Sequence, residues 1–250
     1  MITQENDIIF SHGTGKHLVS IIVPLFNYAD VIGETLNSVA SQTTKDIALI
    51  VIDDCSTDHS VNTVKQWMQH RVDIGMSMLL VRNRSNAKLS ITRNSGIQLS
   101  KSNYCFMLDA DNILYPRCIE KLSNALSARP DADAAYSLLE VFEGDRDIIG
   151  AGVFIREALS HGNFIDAMAM FRRSVLLELE GYEHMPSGWE DYDLWLRLVE
   201  MDRIALHVPE ILARYRQHDN SMLRTETNVG KNITNLHNFM KNRHPWLDLH

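Results

Sequence analysis

The chain has 250 residues, 45% hydrophobic and 22% charged, enough ordinary globular material for one large α/β domain or two small ones. Its 24 lysines and arginines face 32 acidic residues, a formal net charge of -8, which excludes a nucleic-acid backbone as main partner because no basic stripe can displace counterions. Three scattered cysteines, Cys55, Cys105 and Cys118, exclude a disulfide framework or zinc site and fit a reducing cytoplasm. No run approaches the ~18 apolar residues of a membrane span, so work at a membrane is expected from outside the bilayer.

Residues 1–17 are polar and aperiodic and are expected to form a leader with no core role. Val19 to Val23 is a β-branched run stopped by Pro24, the profile of a buried strand, and Leu25 to Tyr28 forms a loop at its carboxyl end. From Asp30, a candidate N-cap, Val31, Ile32, Leu36, Val39 and Ala40 recur at helical spacing. Ile47 to Ile52 is almost wholly apolar, a strand covered on both faces, and ends in Asp53-Asp54-Cys55-Ser56-Thr57-Asp58. A helix with Val61, Val64 and Trp67 or Met68 inside follows, capped by Ser56, Thr57 or Asp58. Met78 to Val81 reads as a third strand, Asn83 to Ser90 as a loop, and Ile91 to Leu99 as a helix with Arg93 near its start.

Tyr104 to Leu108 is a fourth strand running straight into Asp109-Ala110-Asp111-Asn112. Alternation along extended chain puts Asp109 and Asp111 on one side, where both can face a divalent cation. A lone pair of this kind is more often a polar turn. Pro116 fits the first turn of the next helix, with Ile119, Leu122 and Leu126 on one stripe. The strand-helix rhythm predicts a doubly wound, mostly parallel sheet, whose ligands sit at the carboxyl ends of its strands. Asn27, Asp54, Asp109 and Asp111 would then share one edge.

After Pro130 the rhythm changes. Ala134 to Val141 and Ala167 to Phe171 read as strands around an uncertain connection over 142–163, and Arg172-Arg173 opens a helix to Leu179. Gly188-Trp189-Glu190-Asp191 leads into a helix with Leu194, Trp195, Leu198 and Val199 inward. Acids at that position are also explained by the helix macrodipole. Ile204 to Val208 and Leu212 to Arg216 are short strands, and Val229, Ile233, Leu236 and Met240 mark a tail helix. His59, His70 and His250 are assigned no role.

Taken together, the run Val19 to Pro24 with Asn27, the Asp53 to Asp58 cluster, Arg93-Asn94, Leu108 to Asn112, Trp189 to Trp195 and Tyr215-Arg216-Gln217-His218 resembles the family 2 glycosyltransferases of GT-A fold. The likeness covers about residues 18–222, with the motifs in the family's order. It implies an inverting enzyme that moves a sugar from a nucleotide-sugar, a UDP-sugar by expectation, to a hydroxyl of a glycan or glycolipid acceptor. Pro24, Phe26, Asn27, Asp53 and Asp54 would hold the nucleoside, with Arg93, Asp109 and Ala110 toward the rest of the donor. Asp109, Asp111 and His218 would bind Mn²⁺ or Mg²⁺, Asp191 would be the catalytic base, and Trp189 and Glu190 would meet the acceptor. The organisation expected is a leader over 1–17, a donor half over 18–128, an acceptor half over 129–222 and a helical tail over 223–250. A cytoplasmic place, at the inner face of the membrane for a lipid-linked acceptor, goes with that reading. The sequence departs from the family where Asn86 is followed by Ala87-Lys88 rather than by a nearby glycine. Two readings stay open beside it: a sugar-phosphate nucleotidyltransferase, and a sugar-nucleotide-binding module without activity.

Overall fold

Apolar runs of β-branched and aliphatic residues supply the sheet. The computed structural model describes all residues except 2, 14, 186, 219–224, 226, 228 and 250; the expected boundary at 222 and His250 lie outside the described residues. In chain order the elements are β1 (Asn6–His12), β2 (Val19–Leu25), α1 (Ile32–Ala40), β3 (Ile47–Asp53), α2 (Ser60–Gln69), β4 (Ser77–Asn83), α3 (Leu89–Leu99), β5 (Tyr104–Met107) and β6 (Ile113–Leu114). There follow α4 (Cys118–Ala128), β7 (Ala134–Phe142), β8 (Ile148–Ile149), α5 (Arg156–Leu159), β9 (Met170–Arg172), α6 (Arg173–Glu178), α7 (Glu190–Glu200), β10 (Ala205–Arg216) and α8 (Lys231–Arg243).

The strands form one sheet in the order β1-β4-β3-β2-β5-β9-β7-β10-β6, with β8 pairing β7. Its centre, β4-β3-β2-β5, is parallel throughout, as the strand-helix rhythm predicts. The later strands add antiparallel pairs through β9 and one further parallel pair, β7 with β10. Period-two alternation splits the core: Ile21, Val23 and Leu25 pack on one face with Leu36 and Val64, while Ile22 packs on the other with Trp195, Leu236 and Met240. Each such side chain, fully buried, contributes ~1.5–3 kcal/mol. On that second face α3 lies close against β2, and Gly96 permits it: a Cβ there would meet Ile22 Cγ2 at 2.3 Å.

Several expectations need correction. The first residues are not structureless, since β1 pairs antiparallel with β4 and Ile9 and Phe10 pack against the core. Pro24 does not stop β2 but lies within it, opposite Ile52. The N–H of Val19 and the C=O of Leu25 point to β3, so the N–H that Pro24 lacks would face β5, whose pairing has ended with the Leu108 N–H to Ile22 C=O bond. Asp30 does not cap α1, whose N-cap is Val31 with no side-chain bond. None of Ser56, Thr57 and Asp58 is the N-cap of α2, which is His59 with no side-chain bond, although Asp58 accepts the Ser60 N–H at 2.9 Å from just before it. Pro116 precedes α4 instead of lying in its first turn. The two short strands after Ile204 are one strand, β10, with register shifts between Val208 and Ala213 that absorb Pro209 and Glu210.

Candidate active site

The loops after β2 and β3 are tied together by Asn27, held at φ 60°. Its side-chain oxygen accepts the Thr57 N–H at 2.8 Å, and its own N–H donates to Ser56 Oγ at 3.0 Å. Phe26, 44% exposed, is the open side chain of this loop.

Asp54 is 4% exposed and saturated with donors. Oδ1 accepts from Asn83 Nδ2 at 2.8 Å and the Ala87 N–H at 2.7 Å, and Oδ2 accepts the Lys88 N–H at 2.9 Å. That carboxylate fixes the loop over 83–88, a task other than the direct base contact expected for it. Asp53 is fully buried and also inward: it accepts the Ser56 N–H and lies 3.3 Å from Arg82 Nε. Lys88, in the place where the family pattern leads one to expect glycine, sits at φ 73° and ψ 164°, a region costly to any residue with a Cβ.

Within α3, Arg93 is the organising cation. Only 2% exposed, it donates to Asp109 Oδ1 at 2.7 Å and to Glu190 Oε1 at 2.5 Å and lies over the Tyr182 ring. It is therefore a strut between the strand edge and the start of α7, not a direct donor ligand as expected. Glu190, 5% exposed and spent on Arg93, is likewise not placed to meet an acceptor. The Ala110 carbonyl is taken by Thr35 Oγ1 at 2.9 Å. Arg216 anchors the same turn, donating from Nε to the Asp111 carbonyl and from its N–H to Asn112 Oδ1.

Asp111 and His218 stand together, His218 Nε2 3.0 Å from Asp111 Oδ2. Burial, and then the charge of Asp109, raise the Asp111 carboxyl, and His218 opposes them. Among the described residues no group of three or more His, Cys, Asp or Glu side chains is set to hold a metal ion. The expected triad fails because Asp109 turns to Arg93. The remaining carboxylate-imidazole pair still fits a divalent ion whose other positions are filled by phosphate oxygens and water.

Asp191 lies at the start of α7, where Asn163 Nδ2 donates to its Oδ2 at 3.1 Å. Burial first, and then Glu190, push its carboxyl above the ordinary range, against the pull of Arg93. Asp166, which no sequence motif singled out, is a fourth acid beside Asp109, Asp111 and Asp191. Burial, then Asp109 and Asp191, raise it in the same direction, and among the described residues its Oδ1 accepts only the Met168 N–H, at 2.8 Å. The Tyr215 phenol records the convergence: burial raises it first, and Asp166, Asp109, Asp111 and Asp191 each add to that. Trp189 is held at φ 67° and stacks on His237 of α8, 5.3 Å between ring centroids, so one face is already occupied.

Acidic side chains at the carboxyl edge of a parallel sheet, with a second set arriving from α7 and from the segment before β9, define a GT-A-type α/β protein. Similar structures include Staphylococcus aureus TarS 1–349 in complex with UDP-GlcNAc, at TM-score 0.74 and 15% identity over 93% of this chain and 68% of that one. A second is the mannosyltransferase PcManGT from Pyrobaculum calidifontis in complex with GDP-Man and Mn²⁺, at TM-score 0.64 and 18% identity over 86% of this chain and 61% of that one. The family model described as glycosyl transferase family 2 matches residues 20–179, and the chain belongs to that family. It is 30% identical over 162 residues to the Staphylococcus aureus (strain N315) poly(ribitol-phosphate) beta-N-acetylglucosaminyltransferase TarP, covering 63% of this chain and 47% of that relative. The chain thus spans about half of TarP's length.

Proposed function

We propose that the chain is a metal-dependent, inverting glycosyltransferase using a nucleotide-sugar donor, with UDP as the nucleotide, and a hydroxyl of a glycan or glycolipid as acceptor. One observation carries the reading: Asp109, Asp111, Asp166 and Asp191, from three separate parts of the chain, all lie near enough for their charges to act on the Tyr215 phenol. The UDP-GlcNAc bound to TarS supports the choice of donor, and the Mn²⁺ bound to PcManGT supports the metal.

In this reading residues 18–128 hold the donor and 129–222 the acceptor. Asp54 and Asn27 act by fixing the loops on which Phe26 is presented. Asp111 and His218 would hold Mn²⁺ or Mg²⁺, which when bound supplies Lewis-acid stabilisation of the departing diphosphate. Arg93 keeps Asp109 oriented. Asp191 accepts the acceptor hydroxyl's proton as that oxygen bonds to the anomeric carbon and the bond to the diphosphate breaks. A raised carboxyl suits that task, because a base near neutrality has driving force for proton transfer. The half-buried Asp191, with its carboxyl raised, supports enzyme over inactive binding module. A nucleotidyltransferase would need cations in the loop after β2, and Leu25 to Tyr28 contains no lysine or arginine.

Among the described residues no helix is long and apolar enough to cross a membrane; we place the reaction in the cytoplasm, at the membrane's inner face when the acceptor is lipid-linked. Titration of UDP by calorimetry, with and without Mn²⁺, tests the donor site. Binding should strengthen with metal, and Asp111→Ala should remove that gain by about tenfold or more. UDP affinity indifferent to both would refute the metal assignment.

A further inference from the structure

The opposite end of the sheet carries the reverse charge. A cavity of about 420 Å³ opens beside the amino end of β5, lined by Lys16, Lys101, Asn103, Arg172, Arg173 and Ser174 among others, with no carboxylate in its wall. That is four cations in a chain of net charge -8. Strand direction accounts for the placement. Lys16 precedes β2, Lys101 precedes β5, and antiparallel β9 delivers Arg172 and Arg173 to the same end.

Two of these cations are built in rather than waving in solvent. Arg172 donates to the carbonyls of Ala132 at 2.7 Å and Leu126 at 2.8 Å, and Arg173 donates from Nε to the Ile97 carbonyl at 3.0 Å. Neutral carbonyls orient a guanidinium without cancelling its charge, and Nη1 of Arg173 has no partner among the described residues. Other carboxylates are held by partners of their own, Asp46 by His17 and the Leu18 N–H, Glu178 by Arg203 and Asp131 by Arg129, although the charge of Arg172 also acts on Asp131. None of the four cations is ion-paired among the described residues. A site with fixed guanidinium donors, two exposed ammonium groups, amide and hydroxyl donors and no carboxylate selects a multiply charged oxyanion.

We propose that this cavity is a phosphate-binding site, separate from the acidic edge, which takes a phosphoryl group from either a soluble phosphate compound or the headgroup of an anionic lipid. It does not depend on the reading of the acidic edge. Because Lys16 and Lys101 are exposed, Lys16→Glu/Lys101→Glu cancels the net positive charge of the four-cation cluster with the core untouched.

The test has two arms, run on the wild-type chain and the double variant with unfolding curves to establish equal folding. In one, inorganic phosphate is titrated while the backbone amide NMR signals of Asn103 and Ser174 are followed. In the other, vesicles of phosphatidylcholine with a minority of phosphatidylglycerol are compared in flotation with vesicles of phosphatidylcholine alone. We expect wild-type binding that falls with added salt and weakens about tenfold or more in the double variant. Amide shifts without capture on vesicles support a soluble phosphate compound; selective capture on anionic vesicles supports the lipid headgroup. No response in either arm, or responses that the double variant keeps at full strength, overturn the proposal.

Discussion

Asp54 and Asp191 both follow or open elements at the same sheet edge, yet their surroundings are opposite. Asp54 accepts three N–H donors and closes a loop. Asp191 is half-buried beside another acid, receives Asn163 and its neighbour's N–H, and is raised. A carboxylate saturated with donors is a structural part, whereas one buried with too few is kept ready to take a proton, at a cost in stability. In the function proposed above, the donor half of the site is thus braced and the acceptor half poised.

The largest break in that comparison comes from Asp191→Asn. Transfer should fall about 10²–10⁴-fold with UDP affinity retained, measured by product formation and calorimetry. Stability should move the other way. A carboxyl raised in the folded state prefers its proton there, so its ionisation subtracts stability as pH rises through the folded value. The asparagine variant should therefore gain on wild type toward neutral pH in urea unfolding. Unchanged turnover would remove Asp191 from the chemistry.

Arg93→Gln tests the strut between the halves. Glu190 and Asp109 lose their cation, and leaving Glu190 buried and unpaired should destabilise the chain by about 3–5 kcal/mol in denaturant unfolding.

Asp193 sharpens the comparison within α7 itself. Burial alone would raise it, but bonds from His244 and Arg197, with the charge of Arg243, hold it at about 2, below its ordinary 3.8. A lowered folded value means stability that is present above the unfolded value and is lost as pH falls through about 2. Acid unfolding should show that loss, about 2 kcal/mol, and Asp193→Asn should lack it.

The smallest effect is expected at Lys88→Gly, which relieves the left-handed backbone at φ 73°. Relief of strain, less the extra entropy of unfolded glycine, should stabilise by about 1 kcal/mol in urea unfolding. A loss of stability instead would mean the lysine side chain makes a contact that outweighs the strain.

The alternation of apolar residues in β2, β3 and β5, and the helical spacing between them, was legible because burial on a sheet or helix face imposes a period on the chain itself. So was the carboxyl-edge address of Asn27, Asp54, Asp109 and Asp111, since parallel winding delivers strand ends to one side. Other features had no local signal. The strand β1 contains no fully buried residue, and only its pairing with β4 makes it one. Asp166 sits in a stretch without periodicity, and its place is set by β9 crossing beside β5. The partners of Arg93, Glu190 and Trp189 were likewise decided in space. A sequence fixes which side chains are charged and how often they recur, but whether a carboxylate is saturated, paired or left wanting a proton depends on groups contributed by distant chain, and only the folded packing selects them.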